Sequence, residues 1–117
     1  MPRLRRVAEH GESRAFDPFP HDAAITPASG KPLIELLAEF TRLRTANLRE
    51  LQSLNLAPAD LARTGTHPAL GRVSVAQLLA TWAAHDLHHL RQIPLAMAWQ
   101  SRDKVGPWRA HLTTLTR

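Results

Sequence analysis

Two long stretches of the chain repeat apolar residues at intervals of three and four. In the first, Leu33, Leu36, Leu37, Phe40, Leu43, Leu51 and Leu54 share one stripe with Asn47. That period belongs to an amphipathic helix, and it predicts one running from Pro32 to Leu54. Pro32 suits the first turn, where a missing N–H costs nothing. Glu35, Glu39, Arg42, Arg49 and Glu50 fall on the opposite, water-facing side. In the second stretch, Ser74-Val75-Ala76-Gln77 has the form of a capping box. It is followed by Leu78, Leu79, Trp82, His85, His89, Ile93, Ala96 and Met97, again on one side of a helix. Both stripes are expected to face a core. Pro94 removes one backbone bond from the second helix and predicts a kink there.

The remaining segments are shorter. Leu4, Val7 and Ala8 make a helix plausible from Met1 to about His10. Gly11 to Gly30 carries Pro18, Pro20 and Pro27 and reads as a loop, with Phe16, Phe19 and Ile25 as anchors. Pro58 to Leu61 fits one helical turn. Thr64-Gly65-Thr66-His67 and Arg72-Val73-Ser74 can pair as a small hairpin. Gly106-Pro107 bends or ends the second long helix. Trp108, Leu112 and Leu115 are expected to turn inward from a last short segment. The pattern is all-α apart from the hairpin, and it predicts a small helical bundle.

Composition narrows the function. A length of 117 residues fits a single domain, residues 1–117. With no cysteine, disulfides, zinc ribbons, iron–sulfur clusters and thiol nucleophiles are excluded. No apolar run approaches a membrane span. Met-Pro-Arg-Leu-Arg-Arg has no apolar segment behind it and does not read as a secretory signal, so a cytoplasmic location is expected. The net charge is +5. Apart from Arg3, Arg5 and Arg6 the arginines are dispersed, and no helix-turn-helix or aromatic RNA-binding motif accompanies them. A nucleic-acid partner is therefore disfavoured.

The chemistry concentrates in Trp82-Ala83-Ala84-His85-Asp86-Leu87-His88-His89. His85 and His89 are one helical turn apart, with Cβ atoms roughly 6 Å from each other. Two imidazoles so placed can hold one divalent cation. Because they lie on the apolar stripe, they are expected to look into the bundle. Asp86 is a candidate outer-shell acceptor for a ring N–H. The opposing reading is a pair of core histidines bonded to backbone carbonyls or carboxylates. No Glu follows His85, so this is not the zinc-protease pattern. His88 lies on another face, where exposure is expected. His67, before Pro68, reads as a loop residue held by hydrogen bonds. His10, His21 and His111 have no ligand-like spacing. Trp82, Trp99 and Trp108 read as core filling rather than as a stacking platform.

Several of these segments together resemble the DinB/YfiT-like superfamily. The carriers are Gly65-Thr66-His67-Pro68-Ala69-Leu70-Gly71, Ser74 to Leu79, Trp82 to Ile93, and Val105-Gly106-Pro107-Trp108-Arg109. The resemblance implies an up-down-down-up four-helix bundle. It also implies a divalent metal (nickel, zinc, iron or manganese) bound by three histidines at one end. Two of the three match His85 and His89. The third belongs, in the family, to a stretch ahead of the part that matches Met1–His10. On that comparison the chain is an N-terminally truncated member, expected to form a homodimer in which a partner chain completes the bundle. Without such a partner the two stripes would expose several hundred Å² of apolar surface.

Two functions follow. One is a DinB-like metal-binding protein, at most a metal-dependent hydrolase or thiol transferase, with an incomplete histidine triad, no identifiable catalytic residue and room for a small-molecule ligand. The alternative is a non-catalytic helical dimerisation or binding scaffold that retains a vestigial metal pocket.

Overall fold

The computed structural model describes residues 2–18 and 30–115. Among them α-helix predominates, with one two-stranded sheet. The order is α1 (Pro2–His10), α2 (Leu33–Ser53), a 3₁₀ turn (Pro58–Ala62), β1 (Thr64–His67), β2 (Gly71–Ser74), α3 (Val75–Gln100) and a second 3₁₀ segment (Gly106–His111). Phe19, His21 and Ile25 lie outside the described residues. The chain forms two compact units, residues 1–78 and 79–117.

Local signals set the boundaries in the first unit. α1 stops at Gly11, whose φ of 56° suits a residue without Cβ, and whose N–H donates to the Val7 carbonyl at 3.0 Å. Arg63 donates to the carbonyls of Val7 and Ala8 near the end of α1, at 3.2 and 2.7 Å. α2 begins just after Pro32, whose carbonyl accepts from Glu35 and Leu36. It ends before Asn55, which takes a φ of 43°; Asn tolerates the left-handed region better than most residues. The hairpin pairs Thr64 with Ser74 and His67 with Gly71 in antiparallel register. The Nδ1 of His67 accepts the Ala69 and Leu70 N–H groups across the turn, so this histidine ends a strand and is held by hydrogen bonds. The capping box forms in both directions: Gln77 N–H to Ser74 Oγ at 3.1 Å, and Ser74 N–H to Gln77 Oε1 at 2.8 Å.

The core of this unit is small. Leu4, Val7, Phe16 and Val75 are its buried apolar residues. Phe16 also donates its backbone N–H to Thr66 at 2.9 Å, extending the hairpin by one bond. Gly65 lets α1 and Phe16 come close. A Cβ there would stand 2.7 Å from Val7 Cγ2 and 2.9 Å from the Phe16 ring.

The second unit is the rest of α3 and the segment after it. α3 runs through Pro94 without a break in helix assignment. It ends at Gln100 in a series of turns, where Arg102 donates to the Trp99 carbonyl and lies 5.0 Å over the Trp99 ring. Gly106, at φ 53°, opens the 3₁₀ segment in place of any continuation of α3.

The long stripes depart from expectation. Both are regular, but among the described residues neither has a buried member. Phe40 is 58% exposed and Ile93 55% exposed, and Leu33, Leu37, Leu43 and Met97 are exposed too, while Leu36, Leu51, Leu54, Leu78, Leu79 and Trp82 are half-buried. Periodicity marks the apolar side of a helix; it does not say what covers that side. Only Leu115 of the three residues expected to turn inward at the end is buried; Trp108 is 70% exposed and Leu112 is also exposed. Trp82 is half-buried and Trp99 exposed, so core filling describes the tryptophans poorly.

Candidate metal centre

The site is one turn of α3. A helix carries residues i and i+4 on the same side, and α3 is helical from Val75 to Gln100. The rings of His85 and His89 stand edge to face at 89°, with centroids 4.3 Å apart. Both side chains are exposed, so the expectation that they look into a bundle interior is corrected: in this chain they face outward, on the uncovered stripe. Asp86 is half-buried beside them. His88 is exposed, as its position on another face predicts.

A residue that the sequence reading passed over organises the histidines. Gln92 lies three residues after His89 and four after His88. Its Oε1 is 2.8 Å from His89 Nδ1, and its Nε2 is 3.0 Å from His88 Nε2. The Gln92 amide thus ties the His88 and His89 rings to one side chain and fixes their orientation. With Nδ1 engaged by Gln92, Nε2 is the His89 atom left to meet a cation. A hydrogen bond that orients a ligating imidazole is the usual companion of a metal-binding histidine. The signal was the i,i+3 and i,i+4 spacing of Gln92 to two histidines, which puts all three on adjoining faces.

The donor set fits a cation in part. Two imidazoles suit zinc, nickel, iron or copper. A catalytic zinc site uses three protein ligands and a structural one four. Among the described residues no group of three or more His, Cys, Asp or Glu side chains is arranged to hold a metal. His10 lies on α1, in the other compact unit from His85 and His89, with its Nε2 3.7 Å from Glu9. His21 lies outside the described residues.

Another concavity lies between α1 and α2. It is an open cleft of about 400 Å³, lined by Arg5, Arg6, Glu9, His10, Asn47 and Glu50 among others. Its charges largely answer one another. Arg5 pairs with Glu50 at 2.7 Å, and Arg6 holds Asp17 and the Ala15 carbonyl. The hydrogen bond from Arg6 keeps the Asp17 carboxyl below its usual range. In the same way the Thr64 hydroxyl, and then Arg72, keep Glu12 low. Glu39 is lowered by its hydrogen bond from Lys31, with Arg42 adding a weaker attraction. These are structural ion pairs, and none adjoins the histidines in sequence.

A hairpin feeding a capped helix with a His-Asp-x-x-His turn defines a class, and comparison with known families agrees. The chain belongs to the DinB superfamily, whose family model matches residues 3–93. The match includes α1, α2, the hairpin and both histidines. No curated protein matches the chain. No helix among the described residues is long and apolar enough to cross a membrane.

Proposed function

We propose that this chain is a DinB-like metal-binding protein, with His85 and His89 as ligands and Asp86 in the outer shell. One observation carries the reading: the His85 and His89 rings stand together on one side of α3, centroids 4.3 Å apart, with His89 Nδ1 engaged by Gln92. The bound ion would be a divalent cation such as nickel, zinc, iron or manganese. It would supply Lewis acidity to a small-molecule ligand, as in a hydrolase or thiol transferase. The chain's own part is to present two neutral imidazoles and hold their rings in register. The same reading makes the protein a cytoplasmic homodimer, in which the long helices of two copies complete an up-down-down-up four-helix bundle. The bare stripes of α2 and α3 support that assembly, because such surfaces are seldom left open to water. Dispersed arginines and paired charges on α1 speak against a nucleic-acid partner.

The test is elemental analysis of protein purified without a histidine tag, beside a His85→Ala/His89→Ala variant. The reading expects metal in the parent protein and none in the variant. Folded parent protein that takes up no metal under excess would overturn it.

A second reading has its own observation. Among the described residues the pair lacks a third donor, and the apolar sides of α2 and α3 are open. A helical scaffold that associates through those sides, with a vestigial metal pocket, meets both facts. Association that persists unchanged in the metal-free variant would favour it.

A further inference from the structure

We infer that the missing ligands come from the same two positions of a second copy, so that one divalent cation is held by four imidazoles across a two-fold axis between antiparallel α3 helices. The inference rests on the metal-binding reading above and says how the site is completed.

The geometry follows from the helix. A rise of about 1.5 Å per residue puts His85 and His89 about 3 Å either side of the level of Leu87. A two-fold axis at that level brings His85 of one copy opposite His89 of the other, and the reverse. Four imidazoles then lie in a layer about 6 Å thick. A two-fold interface repeats one patch on both sides, so a pair of donors on one chain becomes a set of four. Four nitrogens in a closed set is the number that structural zinc takes.

The surroundings are self-complementary. Trp82 precedes the axis by five residues and Ile93 follows it by six. In the antiparallel pair, Trp82 of each copy comes within about 1.5 Å of the level of the other's Ile93. A half-buried indole thus meets an exposed aliphatic side chain on both sides of the histidine layer. Ala96 keeps the next position on the seam small.

Charge allows the approach. Trp82, His85, His89, Ile93 and Ala96 form a neutral strip in a chain of net charge +5. At about 100° per residue, Arg91 points away from it, on the far side of the helix. No Lys or Arg of α3 lies on the strip, and the one flanking charge, Asp86 of each copy, comes near the axis, where a divalent cation offsets the pair. Exposed imidazoles are also open to an incoming partner, which histidines buried in their own bundle would not be.

The deciding experiment is sedimentation of the full chain at micromolar concentration, titrated with Zn²⁺ alone or Ni²⁺ alone, with bound metal measured in parallel. One ion per two chains, lost in both His85→Ala and His89→Ala while circular dichroism stays helical, upholds the shared site. Where dilution has made the metal-free chain monomeric, the mass should double as metal binds and return on adding EDTA. One ion per chain overturns the shared site and leaves the metal-binding reading standing. No bound metal overturns both. A second variant, Ile93→Lys, keeps both ligands but sets two ammonium groups on the seam. It should abolish the metal-driven doubling of mass; doubling that survives it would overturn the antiparallel arrangement.

Discussion

Gly65 is the residue on which the first unit depends most directly. Adding a methyl group in Gly65→Ala drives it into Val7 and the Phe16 ring, both buried. Overpacking of that kind costs about 1–3 kcal/mol. A chemical denaturation curve should show a loss in that range, and an unchanged midpoint would mean that α1 does not press on the hairpin as described. The carboxylates nearby set a pH dependence. Asp17 and Glu12 are lowered by bonds made in the folded state, so their contribution is complete above the ordinary carboxylate range. It is lost as pH falls through their depressed folded values. Thermal melts should therefore drop in acid, and Asp17→Asn should drop less steeply while starting lower at neutral pH. Equal acid slopes in the two proteins would contradict the assignment to Asp17.

Capping and pairing decide the elements, and those are local matters. Ser74→Ala removes the acceptor for the Gln77 N–H, and with it about 1 kcal/mol. The loss should appear as a lower unfolding midpoint; no change would mean that the cap is replaced. Such features were legible in the sequence because each is encoded within four residues. The Ser74–Gln77 box, the small hairpin, the turn at Pro58 and the ends of α2 all fall where the residues put them. Gln92 was missed although its spacing was in view, because an amide among histidines has no motif to announce it. The inward turn of Trp108 and Leu112 failed for another reason. Apolar identity states what a side chain would gain by burial; whether a surface exists to bury it against is settled by distant parts of the chain or by another molecule. The His85–His89 pair shows both cases: its spacing was readable and its outward exposure was not.

At the scale of the whole molecule, the proposed homodimer rests on the exposed apolar sides of α2 and α3. Phe40→Glu places a charge on the open stripe of α2 without disturbing a buried contact. It should reduce self-association and dye binding by exposed apolar surface, while helix content holds. Unaltered association would put the interface elsewhere. Membership of the DinB superfamily was readable from the hairpin, the capped helix and the histidine turn together.

The attachment of α1 adds a different kind of sensitivity. Towards the hairpin it is fastened by buried Leu4 and Val7 and by Arg63 on its last carbonyls. Towards α2 it reaches across an open cleft with the Arg5–Glu50 pair, and Arg5 is more than half exposed. Mobile ions act on these two fastenings unequally. At 0.1 M ionic strength fields between exposed charges die away over about 10 Å, and at 1 M over about 3 Å. Salt therefore works as a selective solvent for one edge of α1. Concentrated electrolyte should speed amide exchange along the facing turns of α1 and α2 while the hairpin amides stay protected.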